Sequence, residues 1–368
     1  MNVLILSANT GQGHNSCAAA LQEYFCRRES SCEICDSLAF MSEGVSKFVC
    51  GLHVGVYRKA PGAFAWGYGV SENHPGIFGQ KSPLYLFFKK GAKRLAEYME
   101  GRKYDIVIAC HVFAAVMLTA ARKMSPQAFK TAFVATDYTC SPGVDQSDLD
   151  FYFIPDASLK DEFVRGCVSA SRIFASGIPV RGNFPEHTGK KEAKRSVGVD
   201  ENHAHLLVMC GSMGCGPIAE IAAELEKHLE SGQEASIVCG TNAKLQNRLE
   251  KQFAAHERIH ILGYVKDMAL LMDSADLYLT KPGGLSSTEA AYKRLPMVFV
   301  NAVSGCEGYN CSFFTQRGGA VCEDTPKALA GRCVSLLKDE ETLEKMRRAL
   351  AETFFENAAE NIYNILIK

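Results

Sequence analysis

The chain is 368 residues long, 47% hydrophobic and 22% charged, which suits a soluble globular protein with room for two domains. Its 40 basic and 41 acidic residues nearly cancel, so bulk charge leaves no footprint for nucleic acid, and none is expected as a partner. No apolar run approaches the ~20 residues that span a bilayer, and 15 scattered cysteines without a signal peptide read as reduced thiols of a cytoplasmic protein.

The first element is a predicted strand, "NVLILSA" (2–8), followed by a glycine turn and a helix from about Ser16 to Arg28. In "SANTGQGHNSCAAAL", Gly11 and Gly13 make the loop and His14 sits where the helix begins. A histidine there can take a proton from an attacking hydroxyl near neutral pH, or can simply hydrogen-bond the loop. "CEIC" (Cys32 and Cys35) is half of a zinc spacing with no second pair, so these read as structural thiols.

Residues 44–95 then break the pattern. They hold Phe48, Tyr57, Phe64, Trp66, Tyr68, Phe78, Tyr85, Phe87 and Phe88, with eight cations against the single acid Glu72. Rings for an interface and cations for anionic lipid fit a membrane-surface contact. A helical subdomain with an aromatic core fits equally well.

Strands are predicted again at "YDIVIAC" (104–110), "KTAFVAT" (130–136), "DFYFIP" (150–155) and "RIFASG" (172–177). After the polar, Gly- and Pro-containing "GIPVRGNFPEHTGKKEAKRSVG" the series restarts with "HLLVMCG" (205–211). A helix follows with Ile218, Ile221, Ala222, Leu225 and Leu229 on one face. "ASIVCG" (235–240), "IHILG" (259–263), "LYLT" (277–280) and "MVFVN" (297–301) come next. Continuous apolar strands alternating with helices imply two α/β domains built on parallel sheets. The expected division is 1–183, an N-terminal acceptor-side domain carrying the 44–95 insertion; 184–350, a nucleotide-sugar domain; and 351–368, a C-terminal helix packing back on the first. The segment 331–368 reads as helical, with two helices.

The stretch richest in chemistry is "TKPGGLSSTEAAYKRLP" (280–296). Gly283 and Gly284 let the backbone turn close to a ligand. A helix starting near Leu285 or Ser286 aims free N–H groups and its positive end at that point, which suits a phosphate. Ser286 and Ser287 can add hydroxyl donors. Glu289 can accept from two vicinal ribose hydroxyls. A capped glycine turn with no ligand is the plain alternative. "MCGSMGCGPIAE" (209–220) is a second strand–glycine–helix junction, where Ser212 and nearby N–H groups can meet the far side of a diphosphate. Neither a dinucleotide fingerprint nor a P-loop is present. "DLD" (148–150) invites a metal reading but lacks the context for one, and no metal is expected.

Taken together, "LILSANTGQGHNSCAAAL", "ATDY", "ASGIPVRGNF", "GSMGCGPIAEIAAEL", "VCGTNAKLQNRL", "ILGYVKDMALLMDSADLYLTKPGGLSSTEAAYKRLPMVFVN" and "SGCEGYN" resemble glycosyltransferase family 28 through most of the chain. Within it the likeness is to the bacterial processive diacylglycerol glucosyltransferases and plant monogalactosyldiacylglycerol synthases. The resemblance implies a GT-B fold, two Rossmann-like domains with a cleft between them. It implies an inverting, metal-independent enzyme that needs no cofactor, with a UDP-hexose as donor substrate and diacylglycerol or another lipid as acceptor.

By position, it implies a diphosphate loop at Gly283, Gly284, Leu285, Ser286 and Ser287, a ribose carboxylate at Glu289 and uracil contact at Val265. Ser212 and Gly240 fall on the donor side, and Glu307 and Asn310 where sugar hydroxyls are held. His14 matches the acceptor-side histidine, with Asp137 as a second candidate base and Gly11, Gly13 and His111 beside it. The chain departs from the family at Cys306, where glutamine is common, and after Asp137, where relatives carry histidine and tryptophan. Those departures leave open the sugar and the acceptor, with a polyprenyl-linked sugar or a small metabolite as the alternative acceptors, and leave room for a non-catalytic nucleotide-sugar sensor. A lipid acceptor without a membrane span implies a peripheral protein on an anionic surface, the inner face of the cell membrane.

Overall fold

The computed structural model describes residues 1–9, 11–41, 83–125, 128–300, 305–353 and 357–368, with 83–87 described in backbone only. It divides into two compact units: Met1–Gly182 with Val303–Tyr309 and Asn357–Lys368, and Asn183–Ala302 with Asn310–Glu356.

The first unit runs β1 (Asn2–Ser7), α1 (Gln12–Arg27), β2 (Ser31–Asp36), α2 (Pro83–Met99), β3 (Ile106–Ala109), α3 (Val112–Arg122), β4 (Lys130–Val134), β5 (Phe151–Ile154), α4 (Lys160–Arg165) and β6 (Ile173–Ala175). Its six strands are parallel in the order β2-β1-β3-β4-β5-β6. The apolar runs are buried because helices cover both faces, as a parallel sheet requires.

The second unit runs α5 (Lys190–Ser196), β7 (Ala204–Met209), α6 (Ile218–His228), β8 (Gln233–Val238), α7 (Ala243–Gln252), β9 (Ile259–Leu262), α8 (Met268–Ser274), β10 (Leu277–Thr280), α9 (Gly284–Tyr292), β11 (Met297–Val300), α10 (Cys306–Gln316), β12 (Ala320–Glu323), α11 (Pro326–Leu336) and α12 (Glu340–Thr353). The first turn of α10 falls with the first unit. The strand order β12-β11-β10-β7-β8-β9 is that of a Rossmann sheet read from its far edge. Ile218, Ile221, Ala222, Leu225 and Leu229 are buried against that sheet, as the helical spacing predicts. Side chains cap several of these helices: Asn242 accepts from the Leu245 N–H, Asp267 from Leu270, and Thr325 from Ala328 ahead of Pro326.

The last helix, α13 (Ala358–Leu366), belongs to the first unit. Ala359, Ile362 and Leu366 join Leu21 and Phe25 of α1 in that unit's core. Tyr363 sets its ring edge-on to Phe25 at 5.1 Å, and the Lys130 ammonium donates to the Leu366 carbonyl at 2.7 Å.

Two expectations need correction. Gly13 lies inside α1, which starts at Gln12, so the glycine loop is shorter than the sequence suggests. The C-terminal segment holds three helices, beginning at Pro326. "CEIC" is an edge strand, β2, and its Glu33 accepts from Tyr104 at 2.6 Å. Asp150 of "DLD" accepts from the Thr131 N–H and hydroxyl and pairs with Arg122, while Asp148 pairs with Arg172. Both carboxylates are therefore committed to holding β5 and its neighbours.

The described part of 44–95 is two-faced. Phe88, Ala92, Leu95 and Met99 are buried along α2, and Phe88 packs 5.2 Å from Phe113 of α3. Lys89, Lys90 and Lys93 lie on the exposed side. Arg94 instead donates to the Met41 carbonyl at 2.8 Å. The other aromatic residues of the interval lie outside the described residues or within the backbone-only stretch.

Candidate functional site

In an open parallel sheet, ligands bind beyond the carboxyl ends of the strands where the strand order reverses. The second sheet reverses between β7 and β10. The loops at that point are 210–217 and 281–284, the two glycine junctions singled out by sequence.

Their geometry rests on close backbone packing. Gly240 has φ +58°, and a Cβ there would overlap the carbonyl oxygen of Ser212. The Thr241 N–H donates to that same oxygen at 2.9 Å, and the Asn242 amide donates to the Gly214 carbonyl at 3.1 Å. Gly240 is thus required for loop-on-loop contact, which fixes Ser212 in place. Gly211 has φ +78°, and a Cβ there would lie 3.0 Å from Lys281 Cε. Lys281 therefore lies across Gly211 and brings a cation between the two loops. The sequence reading passed over it, although "TKPGG" displays it beside the glycines.

α9 starts at Gly284, and its N-cap, Gly283, makes no side-chain cap, so no N-cap side chain competes for the first-turn N–H groups. Ser286 is half-buried, its hydroxyl 3.4 Å from the Gly283 carbonyl. Ser287 differs: it is fully buried, and its hydroxyl has no hydrogen-bond partner among the described residues. Successive helical residues point ~100° apart, so when Ser286 faces the loop Ser287 faces the sheet. Only one of the two serines stands ready as a surface donor.

Glu289 is half-buried one turn further on, with Leu285 buried between. Burial, with the Glu289 carboxylate adding to it, pushes the Tyr278 phenol up. Asn310 is fully buried, and its amide donates to the Pro282 carbonyl at 3.0 Å. That bond ties α10 to the turn that precedes α9. Glu307, half-buried, lies in the stretch grouped with the first unit. Val265 is half-buried in the β9–α8 loop beside the exposed Tyr264.

The first sheet reverses between β1 and β3. Here the structure gathers the other candidates. His14, in the first turn of α1, places Nδ1 3.0 Å from the Cys110 carbonyl oxygen and 2.9 Å from Thr136 Oγ1. The His111 ring meets it edge-on at 4.5 Å. His111 Nδ1 accepts the Phe113 N–H at 3.0 Å, which caps α3 and places the His111 proton on Nε2.

Asp137 follows Thr136 at the end of β4. Burial lowers the His14 pKa, and the Asp137 carboxylate and Cys110 carbonyl oppose that effect. The segment beyond Asp137 is held by Glu162, which accepts from the Thr139 hydroxyl at 2.6 Å and the Cys140 N–H at 2.7 Å. Gly11 is extended, φ 177°, with open space where a Cβ would go, so its backbone does not demand glycine. Chemically, this group can accept a proton, and the second unit's group can hold an anion with a diol attached.

Residues 14–180 match the family profile of monogalactosyldiacylglycerol (MGDG) synthase, and residues 205–362 match the glycosyltransferase family 28 C-terminal domain. The processive diacylglycerol beta-glucosyltransferase of Bacillus subtilis (strain 168) is 27% identical over 371 residues, covering 100% of this chain and 94% of its own. That of Bacillus licheniformis is 26% identical over 385 residues at the same coverage. Among solved structures, MurG of Acinetobacter baumannii superimposes with a TM-score of 0.67 at 16% identity, over 100% of this chain and 99% of that one. Anabaena HepE in complex with UDP gives 0.60 at 15% identity, over 100% of both chains. With two Rossmann-like units and both halves matched in order, the chain has the GT-B fold and joins an MGDG synthase domain to a glycosyltransferase family 28 C-terminal domain.

Proposed function

We propose that this chain transfers a hexose from a UDP-sugar to the free hydroxyl of diacylglycerol, giving a β-glycolipid and UDP. The observation that carries the reading is the pairing of an MGDG synthase match over 14–180 with a family 28 C-terminal match over 205–362. The acceptor oxygen attacks the anomeric carbon opposite the UDP, so one displacement forms the new C–O bond, breaks the old one and inverts the centre. His14 takes the hydroxyl proton at Nε2. The first turn of α9 and the Lys281 ammonium offset charge developing on the leaving diphosphate.

The test is UDP release from UDP-glucose and UDP-galactose across a panel of lipid and sugar acceptors. Release that depends on diacylglycerol supports the proposal. Release that depends on a polyprenyl-linked sugar or a small metabolite, or on no acceptor at all, overturns it.

Glu289 is assigned to the ribose diol of the same donor. Glu289→Ala is expected to weaken UDP binding by about 1–3 kcal/mol, the range for a hydrogen bond to a charged group. Calorimetry on a folded variant checks this, and an unchanged affinity removes the assignment.

The acceptor lies in a bilayer, and no helix among the described residues is long and apolar enough to cross one. The enzyme is therefore assigned to the membrane surface, docking on anionic lipid of the inner face. Lys89, Lys90 and Lys93 project from α2 opposite its buried stripe, and each contributes about 1 kcal/mol near such a surface. Replacing all three by serine is expected to lower co-sedimentation with anionic vesicles more than tenfold at low salt. Arg94 is left in place because it supports the Met41 carbonyl. Undiminished sedimentation would remove α2 from the docking surface.

A further inference from the structure

The His14 ring is held at one nitrogen by two oxygen atoms from the ends of different strands. The Cys110 carbonyl, 3.0 Å from Nδ1, follows β3, and the Thr136 hydroxyl, 2.9 Å away, follows β4. A carbonyl oxygen only accepts, so Nδ1 carries the ring proton and Nε2 keeps its lone pair. Thr136 is then a second acceptor of the same N–H. Thr136 is buried, 8% exposed as a residue, so water does not readily take the place of its hydroxyl.

We propose that Thr136 is a positioning residue for the transfer step: it holds the His14 ring in place, in the tautomer that the Cys110 carbonyl sets, and it stabilises the imidazolium formed when Nε2 takes the acceptor's proton. The proposal rests on His14 being the base. Once the ring is cationic its Nδ1–H bonds become charge-assisted, and both acceptors bind it more tightly than before. β4 thus ends in two residues with one target, a hydroxyl from Thr136 and the negative charge of Asp137.

Among the described residues, the other titratable groups of this cluster are His111 and the thiols of Cys17 and Cys110. The His111 proton sits on Nε2 because its Nδ1 caps α3. Cys17 is buried, and its hydrogen bond to Cys110, with burial adding, pushes it well up, so it stays a neutral thiol. The group whose charge changes in the step is therefore His14, and the residue that holds its far nitrogen controls how readily it changes.

The test compares Thr136→Val, which keeps the shape and loses the acceptor, with Thr136→Ser, which keeps both hydroxyl and geometry. Turnover is followed against pH with UDP-hexose and diacylglycerol in mixed micelles. Thr136→Val is expected to lower kcat roughly 5–50-fold, within the span of a general-base contribution, with the donor KM within about twofold. Its acid limb is expected to move to lower pH by about half a unit to one unit, because the imidazolium has lost a partner. Thr136→Ser is expected to restore both rate and limb. A folded Thr136→Val with lowered kcat and an unmoved acid limb overturns the proposal, as does failure of Thr136→Ser to restore the rate. A fully active His14→Ala overturns the base assignment itself. An inactive His14→Ala beside a Thr136→Val profile identical to the parent overturns only the positioning role.

Discussion

His14→Ala is expected to lower turnover by about 10²–10⁴-fold, the usual contribution of a general base, with UDP affinity unchanged. The ring is held through Nδ1, so Nε2 is the nitrogen left for the proposed proton transfer, and alanine removes it. Burial lowers the His14 pKa below the ordinary imidazole value of about 6.5, so the neutral, basic form prevails at pH 7. In the parent enzyme the rate should fall as pH drops through that lowered value, and the alanine variant should lose this limb. Steady-state rates with calorimetry for UDP decide the matter. Full activity would return His14 to a loop-supporting role and move the search to Asp137 or His111.

A comparably large effect is expected at Gly240, through the backbone. Gly240→Ala should destabilise the second unit by about 2–4 kcal/mol and abolish tight UDP binding. Two costs add. At φ +58° an alanine enters the left-handed region, where L-residues are strained. Its Cβ would also overlap the Ser212 carbonyl oxygen and sit 2.8 Å from the carbonyl carbon, and backbone cannot swing aside as a side chain can. Gly211→Ala is the control. It shares the positive φ, but its Cβ meets only the flexible Lys281 stem, so a loss of about 1 kcal/mol is expected. Thermal unfolding and UDP titration of both variants check the contrast, and equal behaviour would show that strain alone governs these turns.

Much of this was legible because it is local. Each long apolar run closed by glycine is a strand feeding a ligand-side loop, and "TKPGGLSSTE" and "MCGSMGCG" both stand at the strand-order reversal. What was missed has a physical cause. The edge strands Ser31–Asp36 and Ala320–Glu323 carry charge among their apolar residues, because an edge is only partly buried and needs no apolar run. Ser287 is adjacent to Ser286 in sequence but is fully buried, because successive helical residues point in different directions. The partners of His14 come from 96 and 122 residues away, a distance at which no periodicity or spacing carries information. Lys281 was visible but uninterpreted, since its position across Gly211 depends on two loops meeting.

The placement of the helix Ala358–Leu366 also governs the order in which the protein can be made. Its Ile362 and Leu366 complete a core begun by Val3, Leu21 and Phe25. The ribosome releases that helix only after the whole of the second unit has emerged. During synthesis the first unit therefore waits with an uncovered apolar seam along α1, while the second, complete by Glu356, can close on its own. Domains generally fold as units while the chain is being made, and exposed apolar surface invites association in the interval. The nascent chain is thus expected to expose apolar surface along α1 until Ala358–Leu366 emerges to cover it.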